Sequence, residues 1–447
     1  MPDTSDPPLT VAVVGGGASG ALAAAHLLRQ ATGPLRVVLA ERRAEAGRGV
    51  AYATRHPRHV LNVPAGRMSA WPDRPDDLLR WLHAGPRPDA DAGTFIARGL
   101  YGDYLAHTLA DAARTAAPGV GLERRGEVAG IEADAGGATL TFATGERLAA
   151  DRVVLALGHG APQASVPAAV AASPRYAPDP WAPGALDVPA HASVVFVGTG
   201  LTMVDGVLAL ADRGHTGPVL AVSRRGLSPH AHRAGPAVAP DALPPDAATL
   251  IGRLRAAGED WRGALDALRP HSAAVWQSLP PAEQRRFLRH LRPYWDVHRH
   301  RIAPESAATL AAMQASGQLA VRAGRVLGGV ETGDALALHV RFRGDAAPTT
   351  LAAQRVVNCT GTSLACSAAD HPVLAGLFAS GAAERHGLGL GLRVDDDGAL
   401  VGAAHGVVFA LGPLRAGHLW ESVAVPEIRV QAAAFAAHVL PVHQPVL

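Results

Sequence analysis

The chain has 447 residues, 48% of them hydrophobic, a formal net charge of +2 and two cysteines. That length supports two or three domains with sizeable cores, the near-neutral balance excludes a global basic field for nucleic acid, and two cysteines cannot make a disulfide framework. Met1 to Pro8 carries acids and prolines in place of a basic start and an apolar core, unlike a signal peptide, and no apolar stretch reaches the roughly 18 residues of a spanning helix, so a cytoplasmic protein away from membranes is expected.

The first predicted element is a buried strand, Leu9 to Val14, running into Gly15, Gly17 and Gly20 at the spacing G-x-G-x-x-G. Side chains there would block the tight turn, the approach of a pyrophosphate and the packing of helix on strand. A helix follows over Ser19 to Ala31, and its free N–H groups, with Ala18 and Ser19 at its start, favour a diphosphate. Leu35 to Ala40 is the second strand, and Glu41, followed by Arg42, ends it about 20 residues after the last glycine, where a carboxylate takes ribose hydroxyls. Arg48 to Ser69 is read as a loop, with Asn62 and Arg67 as candidates to bind cofactor or a substrate anion and Trp71 to cover a ring; an ordered but idle loop is the alternative. Arg152 to Gly158 is a buried strand ending in glycine, and the proline-bearing Ala161 to Pro183 reads as the exit from this unit.

A second cradle begins after the strand Ser193 to Val197. Gly198 and Gly200 keep the turn, Leu201 and Thr202 open a helix to Ala211, and Met203 stands where a third glycine would fall. The strand Val219 to Ser223 ends in Arg224 and Arg225 instead of an acid, which suits a 2′-phosphate; two solvated surface arginines are the alternative. Gly235 to Gln318 has few strand signals and helical periodicity at Asp246 to Ala257, Trp261 to Leu268, Ala282 to Leu291 and Pro304 to Ala315. Strands return at Val321 to Val330 and Ala335 to Arg343, then Arg355 to Gly361 and Gly406 to Gly412 are further strands ending in glycine. Pro426 suits the first position of a terminal helix to Ala437.

The expected fold is α/β: two Rossmann-like dinucleotide-binding domains, an FAD domain (1–165 and 351–447) split by an NADP domain (190–350) with a helical insert at about 235–318. With the segments Gly49 to Tyr52, Leu61 to Ser69, Ser223 to Pro229, Tyr294 to Pro304, Val356 to Gly361 and Gly412 to Arg429, the chain resembles the bacterial FAD/NAD(P)-binding family of two-dinucleotide flavoproteins, distantly similar to class B flavin monooxygenases and amine N-hydroxylases. The resemblance implies FAD at the first cradle and NADPH at the second. It adds Tyr52, Asn62, Val63, Met68, Ser69, Gly158, Gly361, Gly412, Pro413, Trp420 and Pro426 to the cofactor-binding candidates, with the terminal helix starting at the flavin pyrimidine edge. Where many disulfide-reductase-like relatives end the last glycine strand in Gly-Asp, this chain has Gly412-Pro413, which leaves the ribityl contact unassigned.

Cys359 and Cys366 do not form the close redox pair of a disulfide reductase; they read as buried inert thiols. What remains is NADPH reducing FAD, with the electrons passed either to a small organic acceptor or to dioxygen; in the NADPH monooxygenase that the resemblance implies, dioxygen adds to reduced flavin as a C4a-hydroperoxide and the distal OH passes to a small amine or amino acid. The flavin carries that chemistry, and no acid–base triad is needed or found. Another FAD/NAD(P)H dehydrogenase or oxidase, or a non-catalytic redox sensor, stays open. His230, His232, His298 and His300 lack acidic or cysteine partners at metal-ligand spacing, so no metal is expected. Arg292, Arg299 and Arg301, beside Trp295, are candidates for a carboxylate substrate, an acidic amino acid such as aspartate being the first to try.

Overall fold

The computed structural model describes residues 7–160, 162, 165–233, 249, 252, 256, 258, 261–369 and 371–441. The expected start of the insert at Gly235 and most of the expected helix Asp246 to Ala257 lie outside the described residues.

The first unit is laid down by β1 (Leu9–Val14), α1 (Ala18–Gln30), β2 (Leu35–Ala40), α2 (Asp77–His83), α3 (Arg98–Arg114) and β3 (Val120–Arg125). There follow β4 (Val128–Asp134), β5 (Gly137–Phe142), β6 (Arg147–Ala150) and β7 (Arg152–Leu155). β1 pairs in parallel with β2 on one side and β7 on the other, and β2 pairs with β3. Apolar runs such as Val11 to Val14 suit strands covered on both faces. Val11 and Val13 pack with α1 and the helix Val425–Val439, while Ala12 and Val14 pack on Ile131 and Leu140 of the antiparallel β4–β5–β6 sheet. Alanines at 21, 23, 24 and 25 are buried, and their small side chains let α1 sit close between sheet and terminal helix.

The second unit contains α4 (Ala168–Ala171), β8 (Tyr176–Ala177), β9 (Val194–Val197), α5 (Leu201–Asp212), β10 (Val219–Ser223), β11 (Leu319–Thr332), β12 (Ala335–Phe342), β13 (Thr349–Ala353) and β14 (Arg355–Asn358). Its seven strands run in the order β13-β12-β11-β10-β9-β14-β8. β8 through the first part of β11 are parallel, and beyond Ala323 β11 continues as a long antiparallel hairpin with β12. Helices between Trp261 and Ala315 form the insert, and β15 (Val408–Ala410) returns beside β7 in the first sheet.

Two boundaries differ from the sequence reading. β14 ladders onto β9, so Arg355–Asn358 belongs to the second sheet and the chain re-enters the first unit after it, not at 351. β8 pairs with β14 and brings the second unit's beginning ahead of 190. These edges depend on strand pairings between segments far apart in sequence, which local patterning does not encode.

Candidate functional site

The two units repeat one design at the C-terminal ends of their parallel strands, where open α/β sheets bind ligands. Gly15 has φ +101°, and a Cβ on it would lie 2.5 Å from the carbonyl oxygen of Ala156 at the end of β7. Gly198 has φ +117°, and its Cβ would lie 2.1 Å from the carbonyl oxygen of Cys359 after β14. Each cradle thus nests against the strand that ends in its own second glycine, Gly158 or Gly361, both with positive φ.

In the first cradle the third glycine is obligatory, because a Cβ on Gly20 would be 1.8 Å from the Gly15 carbonyl oxygen. Glu41 turns back over the turn: its Oε2 accepts from the Gly16 N–H at 2.5 Å and its Oε1 from the Arg43 N–H at 2.9 Å. A cleft of about 390 Å³ lies beside it, lined by Glu41, Arg43, Ala46, Arg124, Arg125 and Phe142 among others; Arg42 is exposed. A carboxylate at the strand end, a side-chain-free turn and an adjoining cleft fit the adenosine and diphosphate of a dinucleotide.

In the second cradle Gly200 starts α5 with open space within 4 Å of where its Cβ would be, and Leu201 and Thr202 form the first turn. Met203 is fully buried. The close approach of helix to strand occurs one turn later instead, at Gly206, whose Cβ would meet the Phe196 ring of β9 at 2.6 Å. Arg224 is exposed and lines a cleft of about 500 Å³ with Arg325, Arg341 and Arg343. Arg225 points elsewhere, over the Tyr294 ring at 5.5 Å.

The loop after β2 lies along the first cradle. The Gly47 N–H donates to the Gly16 carbonyl at 2.8 Å, Gly49 with φ +54° abuts the Cα of Gly17, and Arg48 is held by Glu45 and Asp103. Tyr52 packs edge-on to Tyr101, and burial pushes its phenol up to about 12. Val63, Met68 and Ser69 are buried; the Ser69 hydroxyl is spent on the Arg74 carbonyl at 2.6 Å, which leaves backbone rather than side chain to meet a ligand there. The Asn62 carbonyl accepts from His232 Nε2 at 2.9 Å, tying loop to insert. Trp71 does not cover a ring site. It packs against His26 of α1 at 4.7 Å beneath Arg29, because the loop folds it into the core behind the helix.

At the other end Gly412, with φ +69°, approaches Ser19 of α1 so closely that a Cβ would be 2.8 Å from its hydroxyl. Its N–H donates to Gln431 Oε1 at 3.0 Å. Ser19, Gln431 and Pro413, all buried, therefore surround Gly412, and no acid follows it. Pro426 lies in the first turn of Val425–Val439. Just before it, Trp420 has φ +60° and stacks on Trp276 of the insert at 5.1 Å. Buried polar atoms of this segment without a hydrogen-bond partner include Trp420 Nε1, Ser422 Oγ and Gln431 Nε2. Unmet buried polar groups are costly, and those of Trp420 and Ser422, just ahead of the helix, fit the polar edge of a flavin ring.

The carboxylate candidates in the insert are already engaged. Arg299 is 6% exposed and pairs with Glu421 at 3.1 Å and Glu427 at 3.3 Å; Arg301 is 5% exposed and pairs with Asp266. Trp295 is buried and donates Nε1–H to Glu421 at 2.7 Å. Arg269 completes the network on Glu427 at 2.7 Å, and burial drives His300 down to about 4. Arg292 is 3.6 Å from Asp296 and lies over Trp420. Arg67 is the most open of the five, 56% exposed at the side chain and 3.9 Å from Asp266. His230 and His298 pack on Trp261, and among the described residues no group of His, Cys, Asp and Glu is arranged to hold a metal ion.

Residues 12–160 match the FAD-NAD(P)-binding family. The match covers the first cradle, the strand ending at Glu41 and β7 of the N-terminal unit. No curated protein matches the chain by sequence. Among solved structures, the chain is similar to an ornithine N-hydroxylase of Kutzneria (16% identity, 96% of this chain and 98% of that one, TM-score 0.69). It is also similar to an FAD-bound cadaverine monooxygenase of Erwinia amylovora (14%, 99% and 98%, TM-score 0.68) and an L-lysine 6-monooxygenase of Pseudomonas syringae (16%, 96% and 98%, TM-score 0.67). The fold is that of two-dinucleotide flavoprotein monooxygenases and reductases. Within it both cysteines are buried and neither is in a disulfide, and burial in apolar surroundings raises the Cys359 thiol far above its ordinary range. Among the described residues no helix is long and apolar enough to cross a membrane.

Proposed function

We propose that the protein is an FAD-dependent, NADPH-using monooxygenase that hydroxylates the nitrogen of a small amine or amino acid in the cytoplasm. The observation that carries this is the pairing of two unlike cradles in one fold: the first closed by Glu41 at its strand end, the second opening on Arg224 and a cleft of arginines. A carboxylate there accepts from ribose hydroxyls, and guanidinium groups donate to a phosphate. FAD, when bound, supplies the electron transfer and the activation of dioxygen. The residues of the chain position and enclose it: the Gly15–Gly20 turn and the start of α1 hold the diphosphate, and Ser422 and the Val425–Val439 helix meet the ring edge. Trp276, Phe287 and Trp420 pack as an aromatic wall that excludes water.

The solved structures of similar fold named above are an ornithine N-hydroxylase, an L-lysine 6-monooxygenase and a cadaverine monooxygenase, all named for amine-bearing substrates, which supports an amine nitrogen as acceptor. Arg67, exposed and only weakly paired, is the residue of this chain suited to a substrate carboxylate, with an acidic amino acid such as aspartate as the first candidate. The test is a panel of amines and amino acids given to the yellow protein with NADPH. Substrate-dependent NADPH oxidation matched by oxygen uptake, with a product heavier by one oxygen atom, is expected. NADPH oxidation indifferent to every amine, with no oxygenated product, would overturn the reading.

A further inference from the structure

The hairpin that follows the parallel part of β11 carries charge that no ion pair explains. β11 runs parallel to β10 as far as Ala323 opposite Ser223, then leaves the C-terminal edge of the sheet. The turn after β10 lies directly on it, since a Cβ on Gly226 would be 2.6 Å from the Ala323 nitrogen. Arg224 is thereby set at the root of the hairpin. Arg325 stands directly opposite Arg341 across the β11–β12 ladder, and Arg343, two residues on and on the same face, donates to the Arg224 carbonyl at 2.8 Å. All four arginines are exposed. Asp345 also lines the cleft, but its ion pair is with Arg322 at 3.8 Å, and among the described residues no carboxylate comes within 4 Å of Arg224, Arg325, Arg341 or Arg343. Like charges directly opposite on neighbouring strands repel, and a dianion between them converts that repulsion into binding.

We infer that Arg325 and Arg341 form, with Arg224, a second jaw on the 2′-phosphate of the coenzyme, so that the hairpin as well as the loop after β10 sets the choice of NADPH over NADH. Arg343 is a positioning residue that holds the Arg224 backbone. The inference rests on the second cradle binding a nicotinamide coenzyme.

Equilibrium binding of NADPH, NADH and adenosine 2′,5′-bisphosphate to the FAD-loaded protein tests it, in wild type, in Arg325→Ala/Arg341→Ala and in Arg325→Glu, with the flavin spectrum and thermal melting as checks on the fold. The double variant is expected to weaken NADPH and the bisphosphate by roughly 10-fold or more, as loss of charged hydrogen bonds does, with a loss for NADH of less than about 2-fold because NADH lacks the contacted group. Arg325→Glu is expected to weaken the phosphorylated ligands further. Equal losses for NADPH and NADH, or none, overturn the hairpin's role. Competition by inorganic phosphate as strong as by the bisphosphate marks a general anion site and also overturns it. A wild type that binds NADPH no better than NADH instead overturns the underlying reading of the second cradle, whereas preference in the wild type that survives in both variants sinks the hairpin inference alone.

Discussion

Single glycines differ sharply in what they do, and the difference is steric. Gly20 faces a backbone carbonyl at a distance no Cβ can occupy, so Gly20→Ala has to move either α1 or the turn. We expect that variant to purify colourless and to melt well below the wild type; a yellow, equally stable Gly20→Ala would show that the helix start does not hold flavin. Gly200 is the opposite case, with ordinary φ and open space around it. Gly200→Ala is expected to keep stability within about 0.5 kcal/mol, as open surface sites do, and to keep its colour, yet to raise the Kd for NADPH because the methyl group stands where the phosphates approach. The arginines divide in the same way. Arg67→Ala, at an exposed and weakly paired position, should leave the melting temperature unchanged and raise the substrate KM more than it lowers kcat. Arg299→Ala should unfold more easily in urea by about 3–5 kcal/mol, the usual cost of stranding a buried charge, since Glu421 and Glu427 lose their shared partner.

At the level of elements, the parts of the fold that local chemistry dictates were legible. Both glycine turns, the β2 strand ending in Glu41, the β11–β12 hairpin and the proline-started terminal helix all announce themselves within a dozen residues of sequence. What was hidden depends on partners far along the chain. Arg299 and Arg301 look like free cations in the run His298 to Arg301, and only folding delivers Glu421, Glu427 and Asp266 to them. Arg325 and Arg341 become a pair only through the register of β11 on β12. The missing third glycine of the second cradle has a similar explanation: α5 makes its close contact at Gly206, one turn later, and Met203 fills the core instead. Restoring the fingerprint with Met203→Gly should therefore destabilise the protein, by at least the 2–5 kcal/mol of a roughly similar core truncation, with no gain in NADPH affinity. Thermal or urea unfolding alongside coenzyme titration reads both.

Across the whole molecule, a coenzyme on the second unit can reach a ring on the first only if the seam between the units holds, and that seam is polar. Arg98 of α3 pairs with Asp205 of α5 at 2.8 Å, both side chains largely buried, and lies over Trp181. His59 Nε2 donates to the Asp205 carbonyl at 3.1 Å, and Arg58 and His56 meet Asp212. Burial pushes the Asp205 carboxyl up to about 6, against the pull of Arg98. A carboxyl raised in the folded state stabilises fully below its unfolded value near 4, and that contribution is lost as pH rises through 6. His59, pushed down to about 4 by burial, stays neutral from pH 5 to 8 and adds no charge there. Removing Arg98 takes away both influences that favour the carboxylate, so Asp205 titrates still higher and the loss extends further up the pH scale. Arg98→Met is accordingly expected to cost little at pH 5, where Asp205 is mostly neutral with or without Arg98, and up to about 2–3 kcal/mol at pH 8, two pH units above the wild-type Asp205 value, where only the wild type holds the carboxylate against a partner. Guanidinium unfolding of wild type, Arg98→Met and Arg98→Met/Asp205→Asn at the two pH values decides it. The second substitution should abolish the growth of the deficit with pH, and a deficit equal at both pH values would mean that Asp205 does not carry the charge across this seam.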